Sequence, residues 1–389
     1  MTTVKMVKLG TLIKPAKLQK CGNDDYPVLS MTMHNGLVFQ SDKFKKSVAS
    51  QDKSTYKVVH RNQLVIGFPI DEGVLATQRI TDVGIVSPAY GIWDVDQTKI
   101  IPEFLEYALR CNRAIDYYKA KLRGSTARRR SLPTPTLLEL DVPLPDIEQQ
   151  RLALTTIHHA KNALDSRQAQ LTKLDELVKA RFVEMFGDML LNSLEWPEKP
   201  LEGLADIVSG ITKGRKTTET GLIEVPYMAV SNVKSGYIDW TTIKTILATK
   251  QEIEQYRLMP DDILMTEGGD PDKVGRGAII KNPLKDSIHQ NHIFRVRLDK
   301  SELLPAYFAE YLQHQKAKRY FLGCAKQTTG IASINMRQLR ALPVLIPPLP
   351  LQNQFADFVA KVDKSKADVQ KALDQTQLLF DSLMQQYFG

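Results

Sequence analysis

The sequence predicts an α+β protein: two tandem mixed α/β domains and two long helices, the helices pairing as an antiparallel coiled coil within a pseudo-twofold internal repeat. Three observations predict it. One long stretch occurs twice, VPLPDIEQQRLALTTIHHAKNALDSRQAQLTKLDELVKARFVEMFG from Val142 to Gly187 and IPPLPLQNQFADFVAKVDKSKADVQKALDQTQLLFDSLMQQYFG from Ile346 to Gly389. Each copy opens on Pro-Leu-Pro, runs free of Pro and Gly, and closes on Phe-Gly, and each carries apolar residues at heptad spacing. The segments before the two stretches also correspond, at an offset of about 199 to 205 residues, so the repeat takes in a whole domain and its helix.

Residues 1–145 form the first domain. Short apolar runs at Leu64–Phe68 and Ala89–Val95 read as strands between turn residues. Pro102 to Leu122 reads as helix, with Pro102 where a missing N–H costs nothing. Pro145 marks the start of the first long helix, 146–187. One column of that helix is Ile157, Leu164, Leu171, Val178 and Met185, and a partial second is Ala153, Ala160 and Leu174. A seam of this period needs a partner, because one helix cannot bury its own stripe. Gly187 and the EWPEKP segment from Glu195 end the helix and turn the chain into the second domain, 188–350. Strands are expected there in VPYMAV, DILMT, GAII and HIFRVRL, and helices at Pro305–Leu322 and near Asn335–Leu339. Pro350 opens the second long helix, 351–389, with Phe355, Val362, Val369 and Leu383 in one column and Leu351, Phe358, Ala372 and Leu379 in the other. Across the repeat, IIPEFLEYAL matches LLPAYFAEYL, YPVLSMT resembles VPYMAVS, and RNQLVIG matches PDDILMT. The two helices most simply pair with each other, and antiparallel, since each leaves its own domain at a Pro-Leu-Pro exit. From Ile147 to Met185 the first would be about 58 Å long.

The 389 residues are 43% hydrophobic, ample for two cores. Lys and Arg number 52 against 44 Asp and Glu, a formal charge of +8 that suggests a polyanionic partner. Cys21, Cys111 and Cys324 stand far apart and read as free thiols of a reducing compartment. No apolar run reaches membrane-spanning length and MTTVKMVKLG lacks a signal-peptide core, so a cytoplasmic protein is expected.

Charge placement is sharper than net charge. Tyr117 to Leu138 contains no acid and includes Lys119, Lys121, Arg123, Arg128, Arg129 and Arg130. Gln313 to Ala356 is again free of acid and includes Lys316, Lys318, Arg319, Lys326, Arg337 and Arg340. The helix at 146–187 is balanced, six bases against six acids. Positive charge thus gathers at both domain–helix junctions, as phosphate binding requires. Two glycine-rich stretches add candidates. GITKGRKT, with Lys213, Arg215 and Lys216, has three residues rather than four between its glycines and fails as a phosphate loop. EGGDPDKVGRG carries Lys273 and Arg276 on a turn able to approach a nucleic-acid backbone. The candidate nucleic-acid-binding set is therefore Lys121, Arg123, Arg128, Arg129, Arg130, Lys213, Arg215, Lys216, Lys273, Arg276, Lys326 and Arg337.

Catalytic and metal patterns are missing from the sequence. His158 and His159 are adjacent on a helix and point to different faces, unlike a chelating i, i+4 pair. His289 and His292 flank a strand and read as hydrogen-bonding or DNA-facing residues. No Asn/Asp-Pro-Pro-aromatic methyltransferase motif and no dinucleotide fingerprint is found.

The PLPDIEQQRLA and PLPLQNQFA entries, the heptad helices, the MFG and YFG ends, and VSPAYGIW with its counterpart HQNHIFRV resemble the DNA-specificity subunit of type I restriction–modification systems, over the whole chain. That resemblance implies two target-recognition domains, each reading one half of a split, asymmetric sequence in double-stranded DNA, with the helices as a ruler for the spacer. It implies a non-catalytic subunit without cofactor, recruiting two modification subunits that use S-adenosylmethionine to methylate adenine N6, and two restriction subunits that use ATP and Mg. By position, the Gly124–Arg130 run matches the family's basic junction. The second unit departs from it, reading AKQTTGIAS with only Lys326. The rival readings are the recognition part of a fused methyltransferase–nuclease, against which stand the initial Met and the missing motifs, and a specificity-like DNA-binding scaffold or regulator.

Overall fold

The computed structural model describes residues 4–33, 35–43, 53–122, 132–214, 220–270, 273–328 and 331–389, without the side chains of 43, 326–328 and 331. The chain forms two compact units. Unit 1 is Met1–Gln168 with Lys371–Gly389, and unit 2 is Ala169–Gln370. Each long helix, Ile147–Phe186 and Leu349–Phe388, therefore gives one portion to each unit.

In unit 1, strand Met6–Lys8 pairs antiparallel with Asp141–Pro143, which leads straight into the first long helix. A four-stranded antiparallel sheet follows, in the order Ile13–Pro15, Gly91–Val95, Leu64–Ile66, Leu75–Thr77. Side chains alternate across a strand. Leu64, Leu75 and Trp93 thus join one core with Phe104, Leu105 and Leu109 of helix Pro102–Arg110, while Val65, Ala76 and Ile92 join another with Leu29, Met31, Val59 and Val86. Burial on both faces explains why LVI reads as an unbroken apolar run.

The long helices enter this same core. Ala153, Leu154 and Ile157 pack there from the first, and Phe388 from the second, its ring 4.9 Å from that of Phe104. Further along, Arg167 Nε donates to Thr376 Oγ1 at 3.0 Å. The start of the first helix thus shares a core with the end of the second, and Arg167 further along meets Thr376, so the segments run antiparallel.

Unit 2 repeats the plan. Glu198–Pro200 pairs with Pro343–Leu345 ahead of the second long helix, and the sheet order is Ala205–Ser209, Ile293–Leu298, Ile263–Thr266, Gly277–Ile279. Phe186, at the end of the first long helix, meets Tyr307 at 4.8 Å and Phe355 of the second at 5.5 Å. Lys366 pairs with Asp175, again antiparallel. Each unit's core is therefore closed by the Phe of the helix that began in the other.

A second repeat is polar. Gln150 and Gln352 are both fully buried. Gln150 Oε1 accepts the Ile101 N–H at 2.8 Å, and its Nε2 donates to the carbonyls of Lys99 (3.0 Å) and Pro145 (2.9 Å). Gln352 Oε1 accepts from Leu304 N–H at 2.8 Å, and Nε2 donates to Glu302 (3.1 Å) and Pro347 (2.8 Å). A buried amide must find partners, and here it ties each long helix's first turn to the residues before the domain helix. Gly187 stands at φ +74°, donates to Val183 O, and leaves the Phe186 carbonyl to accept from Trp196 Nε1 at 3.0 Å, ending the first helix where the sequence indicates.

Two expectations need correction. The helix read over Pro102–Leu122 is two helices, Pro102–Arg110 and Asn112–Lys121, broken at Cys111 in extended conformation. Its counterpart at Pro305–Leu322 is likewise two, Pro305–Tyr311 and Gln315–Cys324. Neither break has Pro or Gly to announce it. Packing makes the first, since fully buried Tyr118 doubles back to donate to the Leu109 carbonyl at 3.1 Å. Leu379 does not line the seam and is 55% exposed. A helix turning at 3.6 residues drifts off a strict seven-residue column, and Phe380 joins the core instead. Buried Thr376 fills the gap between Val369 and Leu383 in the first column.

Candidate nucleic-acid interface

The register of the unit 2 sheet fixes where its loops emerge. Ser209 pairs with Phe294, Thr266 with Ile293, and Met265 with Gly277. The turn after Ser209, the loop before Ile293 and the loop from Glu267 to Arg276 thus leave one end of one sheet. Strand Gly268–Gly269 of the last loop pairs with Ile331–Ser333, which pairs with Lys326–Thr328. The Ile334 N–H then donates to Glu267 O at 2.9 Å, and the short helix Met336–Arg340 follows, capped by Asn335.

Lys213, Lys273, Arg276, the backbone of Lys326, and Arg337 are therefore carried on elements that meet at this end. Lys213, Lys273 and Arg337 are exposed. Lys273 is paired with Asp270, whose carboxyl it holds below its ordinary pKa. Arg276 is half-buried, and its Nε has no hydrogen-bond partner among the described residues. Lys121 is exposed at the C-terminus of its helix in unit 1. Arg123, Arg128, Arg129, Arg130, Arg215 and Lys216 lie outside the described residues, as does the Lys326 side chain.

The loop before Ile293 is fastened from inside. His289 is fully buried, its Nδ1 3.0 Å from the Ile293 carbonyl, which makes Nδ1 the protonated nitrogen. Burial pushes its pKa down to about 4, so it is a neutral structural group and does not face DNA. A Cβ at Gly210 would stand 1.9 Å from His289 O. Only glycine allows that approach, which seats the Lys213 turn against the loop through Ile211 N–H to His289 O (2.9 Å) and Asn291 N–H to Ile211 O (3.0 Å). The glycine of the failed phosphate loop thus has a packing reason.

His292, by contrast, is exposed. Its Nδ1 lies 2.6 Å from Glu267 Oε2, and its Nε2 lies 3.3 Å from Asn291 Nδ2. Glu267 and Asn291 escaped the sequence reading, which weighed charge runs and histidines rather than neighbours in space.

The same end of the unit 1 sheet is built differently. The positions of Glu267, Asn291 and His292 fall, through the pairing registers, on Phe68, Pro88 and Ala89. Phe68 is 58% exposed, and beside it the turn after Pro15 carries exposed Lys17, Leu18 and Lys20. Each unit also has a cleft between its domain helix and its long-helix segments, of about 990 Å³ in unit 1 and 920 Å³ in unit 2. In unit 1 it holds an ion network: Glu103 takes Arg79 (2.5 Å) and His158 (2.9 Å), while Glu106 takes Arg110 and the Thr77 N–H. In unit 2 the positions of Glu103 and Glu106 are Ala306 and Ala309. Glu310, beside them, has its pKa raised by burial. Among the described residues no group of three or more His, Cys, Asp or Glu is placed to hold a metal, and no helix is long and apolar enough to cross a membrane.

Comparison with known proteins gives one family. Residues 193–376 match the family described as type I restriction modification DNA specificity domain. The type I restriction enzyme EcoKI specificity subunit of Escherichia coli is 22% identical over 266 residues, covering 64% of this chain and 57% of that protein. A Methanocaldococcus jannaschii protein, whose name ends in "type I restriction enzyme MjaX specificity subunit", is 26% identical over 196 residues, 50% of this chain and 45% of that one. The chain thus spans about half the length of these curated relatives. Among solved structures, the type I restriction-modification S subunit from M. genitalium shares the fold, with TM-score 0.57 and 14% identity over 100% of this chain and 97% of that chain. A chain from a type I system studied for complex assembly and conformational transition gives TM-score 0.58 and 15% identity, covering 99% and 97%.

Proposed function

From the premise that residues 193–376 belong to the type I restriction–modification DNA specificity family, we propose that the whole chain is a DNA-specificity subunit whose two units each read one half of a split sequence in double-stranded DNA. The observation that carries this is the repeat. The family match falls almost entirely on unit 2, and unit 1 has the same sheet order, the same entry-strand pairing, the same buried glutamine with its three backbone bonds, and the same closing Phe. What the matched domain does, its structural copy does as well, on a different sequence because its loops differ.

Phosphate contacts would come from the basic junctions and the cations at the sheet end, and they set affinity and salt dependence, while the loops at that end discriminate bases. On this reading the chain works in the cytoplasm and supplies no chemistry. Adenine-N6 methylation with S-adenosylmethionine belongs to two modification subunits, and ATP- and Mg-dependent cleavage to two restriction subunits. The test is selection from random duplexes by the chain assembled with its methyltransferase partner. Two short motifs at a fixed gap are expected, and a single contiguous motif would contradict the proposal.

A further inference from the structure

We propose that Asn291, held by His292 and Glu267, is the group with which unit 2 reads an adenine in the major groove. The inference rests on the DNA-specificity reading above and names a base contact within it. The Glu267 carboxylate can only accept, so the His292 nitrogen 2.6 Å away, Nδ1, carries the proton. In the neutral ring Nε2 is the acceptor, and the Asn291 Nδ2, a donor, faces it at 3.3 Å. The amide oxygen and its second N–H then have no partner among the described residues. One donor beside one acceptor is the complement of adenine's N7 and N6 amino edge, which an asparagine side chain takes in bidentate fashion.

The placement agrees. His292 is 55% exposed at its side chain, and the loop stands at the sheet end where Lys213 and Lys273 emerge. The backbone beneath is fixed by buried His289 and by the contact that Gly210 permits, so the amide is presented by a stiff support. Unit 1 has Phe68, Pro88 and Ala89 at the three corresponding positions and lacks this pattern. The effect must therefore be confined to one half of the target.

The experiment compares motifs selected from random duplexes by the methyltransferase-assembled chain, wild type against Asn291→Ala, Glu267→Ala and Glu267→Gln. Asn291→Ala should lower the preference for adenine at one position of one half-motif by roughly tenfold or more, leaving the other half-motif and the melting temperature unchanged. Glu267→Ala should weaken the same position, and Glu267→Gln, whose amide oxygen still accepts from Nδ1–H, should restore it. A positioning role through the histidine predicts that rescue, and loss of a structural carboxylate does not. Unaltered motifs in Asn291→Ala, or equal loss in both halves, would overturn the inference. A wild-type chain that selects no split motif would instead defeat the reading on which it rests.

Discussion

The two units share a scaffold and differ at their tips. Where unit 2 places Glu267, Asn291 and His292, unit 1 places Phe68, Pro88 and Ala89, yet Gln150 and Gln352 make the same three backbone bonds 202 residues apart. Identity is kept where the helix must be joined to the domain and given up where the loops leave the sheet. The scaffold holds the loops, and the loops are free to carry different recognition chemistry.

The largest effects should break that scaffold one unit at a time. Phe388→Ala removes a ring packed in the unit 1 core and should cost about 3–5 kcal/mol. Amide hydrogen exchange should rise across 4–122 and stay at wild-type levels across 198–328. Phe186→Ala should do the reverse. Equal deprotection of both units in either variant would show that the two cores are not closed separately. Gln150→Leu and Gln352→Leu each strand three backbone groups and should cost roughly 3 kcal/mol in urea unfolding, with similar values because the bonds are the same.

Acid should separate the units. His289 has a folded pKa of about 4 against 6.5 ordinarily. The unfolded chain binds the proton first, so this contribution is full above pH 6.5 and is lost as pH falls toward 4. Unit 2 should lose about 2 kcal/mol by pH 5. Unit 1 has Val86 at that position, and among its described residues no buried histidine adds such a loss. Protection factors from hydrogen exchange at pH 7 and pH 5 would show it, and His289→Gln should flatten the difference. The smallest effect belongs to the helix surface. Lys366→Ala breaks a solvent-exposed pair with Asp175 and should change stability by under about 1 kcal/mol in thermal unfolding.

Much of this was legible in the sequence because the physics behind it is local. Pro-Leu-Pro entries, heptad columns and Gly187 mark the long helices, and alternate burial on two faces makes LVI and ILM read as strands. What was not legible depended on tertiary packing. The break at Cys111 follows from Tyr118 folding back on Leu109, with no residue at the break to signal it. Thr376 gives no signal, because a polar residue does not register in an apolar column, though it accepts from Arg167 there. The basic residues of the unit 2 loops were found by charge. The Glu267–His292–Asn291 chain needed the sheet register, which brings residues 25 positions apart into contact.

The most direct test of the central proposal, that each unit faces DNA with the corresponding end of its own sheet, is amide hydrogen exchange of the methyltransferase-assembled chain with and without its selected duplex. Protection is predicted at 16–20 and 87–90 in unit 1 and at 210–214 and 289–292 in unit 2, with none at the opposite sheet ends, 96–100 and 299–303. Protection confined to one unit, or found at those opposite ends, would contradict it.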